Sequence, residues 1–273
     1  MKRVGKSKSV VLGGILIAGL LFAAIFAPLI AADPYHMDMT QRLLPPGPGH
    51  FLGTDQFGRD LWSRLVFGSR VSLQVGLVSV GIAGTVGTAL GLLAGYTGGW
   101  VDALIMRVVD IFLAFPVILL AIALIAVLGP SPVNLMIAIG LVNWTMYARV
   151  VRANVLALKQ QEFVEAARAL GFRDRVIMVK HILPNTLAPI IVLATLGLGQ
   201  AIVAESTLSF LGLGVQPPEP SWGWTLAFGM KFLRDAPHLS TMPGLAIMLT
   251  VLGFNLLGDG LRDLTDPRLS KRR

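Results

Sequence analysis

Long uncharged runs alternate with short polar connections along this chain, the runs lying near residues 10–32, 71–96, 111–128, 133–147, 188–213 and 243–261. A helix needs roughly 20 mostly apolar residues to cross a hydrocarbon core ~30 Å thick. The pattern therefore predicts an all-α integral membrane protein with about six transmembrane helices. The fourth run is short by this measure. It is expected to extend toward Arg149 and Arg152, whose long side chains snorkel to the interface. In the connection 33–70, the Pro- and Gly-rich stretch 44–49 reads as loop. Farther on, Leu61, Trp62, Leu65 and Val66 share one helical face, which predicts an interfacial helix with Trp62 at headgroup level. The connection 214–242 sets Pro217, Pro218 and Pro220 just before Trp222 and Trp224. The organisation expected is a tail and first helix (1–32), an external loop with its interfacial helix (33–70), a transmembrane core (71–262) and a second tail (263–273).

Local signals refine this picture. Gly87, Gly91 and Gly95 recur every four residues, with Gly76, Ala83 and Gly84 nearby. Small residues at that spacing admit another backbone, so the second helix is expected at the centre of the bundle. Pro116 is expected to bend the third. The connection 149–185 holds two short helical patterns. One runs to Ala169 and Leu170 and stops at Gly171; the other runs over 172–183 and ends at Pro184. On helix chemistry alone this pair reads equally as a docking element or as an amphipathic hairpin on the inner leaflet.

Composition explains what surrounds the chain. Of 273 residues 54% are apolar and 14% charged, and the mean hydropathy is +0.72. Soluble domains carry about a quarter charged residues, so lipid must be the outer solvent. The absence of cysteine excludes disulfides, thiolate metal sites and cysteine nucleophiles. The net charge of +8 is assigned to membrane topology rather than to nucleic-acid binding. With the amino terminus inside, 17 of the 23 Lys and Arg residues fall on cytoplasmic segments, which places both termini in the cytoplasm. The first run follows Lys2, Arg3, Lys6 and Lys8 as a signal peptide would. It exceeds the usual 7–15-residue apolar region, so it is read as an uncleaved helix.

The 149–185 connection also carries a recognisable motif. Glu165-Ala166-Ala167, three residues, Gly171, and Leu183-Pro184 at the far end resemble the EAA loop of ABC importer permeases, except that His181 stands at the family's Ile position. The stretch 181–185 (His-Ile-Leu-Pro-Asn) is similar to the dipeptide/oligopeptide/nickel branch. Residues 52–60, 205–214 and 258–263 resemble that branch's C-type subunit. The resemblance implies a type I ABC importer permease fold. It implies a coupling helix around Glu165, Ala166, Ala167, Leu170, Gly171 and Pro184 that docks on a separate ATPase. Its implied partners are a homologous B-type permease, two ATPase subunits, an external substrate-binding protein and the lipid of a prokaryotic plasma membrane. No cofactor is expected on this chain, ATP and Mg belonging to the ATPase subunits. The implied cargo is di- or oligopeptide, with nickel or another small solute as the alternative.

The chain is not read as an enzyme. Gly5-Lys6-Ser7 lacks the glycine five positions earlier and the preceding strand that a phosphate loop needs. His36, His50, His181 and His238 have no metal-ligand spacing. Pathway candidates come from depth: Asn143, Gln200 and Asn255 fall near mid-bilayer, where an amide either lines a cavity or bridges helices. Glu205 falls nearer the outer boundary, as an outer-gate group or a solvated interface carboxylate. An ion-coupled secondary transporter would need more carboxylates or broken helices within the spans than this.

Overall fold

The computed structural model describes residues 8–265, so the basic 1–7 tail with Gly5-Lys6-Ser7, and the tail beyond 265, lie outside the described residues. Ten helical segments follow in order: α1 (Lys8–Ile30), α2 (Leu61–Thr97), α3 (Gly99–Leu113), α4 (Val117–Leu128), α5 (Pro132–Leu158), α6 (Glu162–Ala169), α7 (Asp174–Val176), α8 (Leu183–Phe210), α9 (Trp222–Gly229) and α10 (His238–Thr265). Five helices among the described residues are long and apolar enough to cross a membrane, and the bent pair α3–α4 makes up to a sixth.

The bundle is built on α2 and α5. A Cβ on Gly87 would lie 2.3 Å from the Trp144 carbonyl oxygen, and one on Gly91 2.5 Å from that of Ala148. Only glycine permits this approach, so the four-residue spacing does set α2 at the centre. On another side α1 packs along α10 by the same device: a Cβ on Gly13 would meet the Leu257 nitrogen at 2.7 Å.

Three expectations need correcting. First, the helical part of 58–70 is no separate interfacial helix; it is the first turns of the 37-residue α2, whose N-cap Asp60 accepts from the Ser63 N–H. Second, the third crossing is not 111–128. It begins at Gly99 and breaks before Pro116, where α3 and α4 meet at 91°. The pair still crosses rather than turning back. Asp102 binds Arg152, Phe112 stacks edge-on against Trp144, and Ala121 and Ile125 share a core with Leu135 and Ile139. Its contacts thus climb α5 from one end to the other.

The fourth run does extend as expected: α5 continues past Arg149 and Arg152 to Leu158, and both arginines are paired. Arg152 makes two 2.5 Å bonds to the Asp102 carboxylate, and Arg149 Nη2 lies 2.7 Å from Asp110 Oδ1. Third, Pro184 ends no helix. The segment Asp174–Phe210 is one continuous helical rod. It widens to a π-turn over Ile177–Ile182, where the Leu183 N–H bonds the Met178 carbonyl. That register shift falls just before Pro184, which has no N–H to donate, and the helix continues through it.

Candidate functional site

At one end of the bundle, α6 and α7 form the hairpin that carries the motif. Val164 and Ala167 on α6 are buried in a core with Leu92 and Tyr96 of α2, Val151 and Val155 of α5, and Ile177 and Ile182. The helix stops as a glycine-closed end should: Gly171 sits at φ +78°. Its N–H bonds the Arg168 carbonyl at 2.9 Å, and the Phe172 N–H bonds that of Ala167 at 3.1 Å. Polar bonds lock the hairpin to α2. The Tyr96 hydroxyl lies 2.5 Å from Asp174 Oδ1, and Lys159 Nζ donates to the Tyr96 carbonyl at 2.5 Å.

The candidate coupling residues therefore divide. Glu165, Ala166, Leu170 and Gly171 face solvent. Leu170 is 76% exposed, and Phe163 at 40% and Phe172 at 46% are exposed on the same hairpin. Ala167 is the exception: at 3% exposure it packs inward and cannot offer close approach to another chain. Pro184 is exposed in the first turn of α8, beyond the corner. Tyr96, Lys159 and Asp174 were not singled out by sequence, because their bonds join positions 63 and 78 residues apart.

Of the three candidate pathway amides, two come together. Asn143 and Gln200 line a pocket between α2, α5 and α8, with Ser79, Tyr147 and Gly197. Asn143 spends its N–H on the Ile139 carbonyl of its own helix at 2.9 Å. Asn255, exposed on α10, lies outside that pocket. Its Oδ1 is 3.5 Å from where a Cβ on Gly199 would stand, one residue from Gln200.

Glu205 does not join them. It is 0% exposed, so the solvated interface carboxylate is overturned. Four serine hydroxyls surround it: Ser209 at 2.9 Å, Ser206 and Ser221 at 3.1 Å, and Ser72 at 3.4 Å. Ser206 and Ser209 were legible as neighbours on α8; Ser72 and Ser221 come from other elements.

The stretch 52–60 builds the opposite end of the bundle. Asp55 accepts from the Phe57 and Arg59 N–H groups and pairs with Arg59 Nε at 2.7 Å. His50 bridges Gln41 Oε1 and the Asp60 carboxylate. A Cβ on Gly58 would collide with the Asp38 carbonyl oxygen at 1.7 Å. Residues 31–60 thus form a tight strap across the end of α2, with no member in the pocket of Asn143 and Gln200.

Residues 87–271 match the family model described as the binding-protein-dependent transport system inner membrane component. The chain belongs to that family. Residues 1–46 also match the N-terminal TM domain of oligopeptide transport permease C. As a transport permease it is 50% identical to the dipeptide transport system permease protein DppC of Alkalihalophilus pseudofirmus, over 98% of this chain and 88% of that protein. It is 46% identical to the probable D,D-dipeptide transport system permease protein DdpC of Escherichia coli, over 94% and 87%. It is 45% identical to the glutathione transport system permease protein GsiD of Pectobacterium atrosepticum, over 93% and 84%. Among solved structures, a chain of the inward-facing MetNI methionine ABC transporter is similar in fold, with TM-score 0.58 and 21% identity over 74% of this permease and 96% of that chain. The all-α importer-permease fold expected from sequence is therefore found, and a permease of this family is not itself a catalyst.

Proposed function

We propose that this permease imports dipeptides or short oligopeptides, forming the pathway with a second, B-type permease and taking its drive from two ATPase subunits that bind ATP and Mg. An external substrate-binding protein delivers the cargo. The observation that carries the reading is the hairpin. Leu170 at its corner is the most exposed large hydrophobic side chain of the hairpin, while its inner side is packed into α2, α5 and α8. A surface that is apolar and exposed outside the bundle, yet rigidly rooted in three crossing helices, suits a lever docked on another chain. The pairing of peptide cargo with this chain rests on its resemblance to the dipeptide permease of A. pseudofirmus.

The orientation follows the basic residues: the hairpin lies in the cytoplasm, the strap outside, and both termini inside. Exposed Gln200 and Asn255, with half-buried Asn143, then mark the face turned to the pathway, since exposed amides do not face lipid. Closure of the ATPase pair on ATP moves the docked hairpins and favours the outward-open state. A ligand shifts such an equilibrium only by its unequal affinity for the two states.

The test is ATP hydrolysis by the complex reconstituted in liposomes, with and without binding protein loaded with a dipeptide. Stimulation by the loaded protein supports peptide import. Hydrolysis without peptide stimulation turns the substrate toward nickel or another small solute. Failure of any ATPase subunit to associate defeats the reading.

A further inference from the structure

The serines around Glu205 are not equivalent. Ser209 Oγ accepts the Val215 N–H at 3.1 Å, and Ser221 Oγ accepts the Trp224 N–H at 3.4 Å. Each therefore has its single proton left for Glu205 Oε1, which lies 2.9 and 3.1 Å away. Oε2 faces Ser206 at 3.1 Å and Ser72 at 3.4 Å. Through these bonds one side chain on α8 reaches both ends of the α8–α9 connection, and α2 as well.

The backbone around this hub is packed too closely to move alone. A Cβ on Gly214 would meet Ser209 Oγ at 2.1 Å, and one on Gly223 the Ser206 carbonyl oxygen at 2.2 Å. Beyond Ser221, Trp222 donates from Nε1 to the Leu65 carbonyl at 2.8 Å, so α9 is seated on α2.

We propose that Glu205 is a positioning residue, a hydrogen-bond hub that fixes residues 211–225 across the strap end of α2 and α8 and holds that end of the bundle closed. The role needs acceptor oxygens, not a net charge. Glutamine keeps Oε1 for Ser209 and Ser221, and its Nε2 donates to Ser72 and Ser206, whose hydroxyls turn to accept. Alanine leaves all four serines without the hub.

The chain has no native cysteine, so a single Thr225→Cys on α9, where Thr225 is 8% exposed, reports opening of this region. Labelling is measured in the assembled membrane complex with a membrane-permeant maleimide, so the readout depends neither on orientation nor on cargo. Local opening sets the rate: Glu205→Ala is expected to speed labelling about tenfold or more, and Glu205→Gln to stay within about threefold of the parent. The pair Ser209→Ala with Ser221→Ala, which keeps the carboxyl, is expected to behave as Glu205→Ala does. A second reporter at the other end, Ala167→Cys, is expected to stay protected throughout. The proposal is overturned if Glu205→Ala labels as slowly as the parent, or if Glu205→Gln labels as fast as Glu205→Ala, which would assign the effect to charge. It is equally overturned if the Ala167→Cys reporter opens in step, because the loss would then be global.

Discussion

Arg70 on α2 donates from Nε to the Ala24 carbonyl on α1, the carbonyl that Pro28, four residues on and inside the helix, leaves without its helical donor. Nη2 of the same guanidinium reaches the Ile25 carbonyl at 3.0 Å. Trp62 adds a bond from Nε1 to the Ile30 carbonyl, also at 3.0 Å. A proline defect in one helix is thus mended by a cation from the next, and α1 is tied to the core by its own irregularity.

Because the donor is charged, Arg70→Met is expected to destabilise the permease by about 1.5–3 kcal/mol. In a Pro28→Ala background the helix supplies its own N–H to the Ala24 carbonyl, so the same substitution should cost about 1 kcal/mol less. Thermal unfolding of the four variants in detergent measures that coupling. Strictly additive shifts would mean that the arginine does not serve the proline defect.

Glycines of α2 separate cleanly by what surrounds them. Gly91 has the Ala148 carbonyl oxygen 2.5 Å from its would-be Cβ, whereas Gly81 has nothing within 4 Å. Gly91→Ala must push α5 away and is expected to cost about 1–3 kcal/mol. Gly81→Ala should be neutral or stabilising by up to about 1 kcal/mol, from helix propensity. Equal melting shifts for the two variants would show that α2 and α5 are not in the close contact described.

These relationships mark how far the sequence can be read. Uncharged runs reveal crossings because a bilayer demands length and apolarity, and Gly87, Gly91 and Gly95 reveal a close helix because the spacing lies on one strand of sequence. Proline misleads, because its effect depends on its surroundings. Pro116 gives a 91° break where a bend is expected, while Pro184 is absorbed by the π-turn and ends nothing. Leu61, Trp62, Leu65 and Val66 share a face in either reading, so periodicity does not tell an interfacial helix from the first turns of α2. Partners far along the chain stay hidden: Asp102 is 50 residues from Arg152, and Ser72 is 133 from Glu205. The motif of the hairpin is legible as a resemblance, yet which of its alanines faces outward is decided by packing, and only Ala166 does.

The amide face makes a prediction about transport rather than stability. Gln200 is exposed beside the pocket it shares with Asn143. If this face lines the pathway, Gln200→Leu removes a hydrogen-bonding group worth ~1 kcal/mol to passing peptide and slows uptake about fivefold. Its melting temperature should not fall. Peptide uptake into proteoliposomes and detergent melts on the same preparation check both halves. Unchanged uptake would move the pathway away from this face.

The hairpin should fail in two distinguishable ways. Leu170, at 76% exposure, contributes little to the fold, and in the proposed function it contacts the ATPase. Leu170→Ala is therefore expected to weaken association with the ATPase subunits about tenfold, the scale of a central apolar contact. Tyr96 lies behind the corner and holds Asp174 at 2.5 Å. Tyr96→Phe should leave association intact but lower peptide-stimulated hydrolysis, because the docked hairpin no longer moves with α2. Gly171→Glu combines both faults: a side chain at φ +78° is strained, and a charge is added at the corner. It should abolish stimulated hydrolysis while the crossings remain inserted. Pull-down of the ATPase subunits, read beside stimulated turnover, separates docking from transmission. A Gly171→Glu complex with full peptide-stimulated hydrolysis would show that the corner is not where the two chains are coupled.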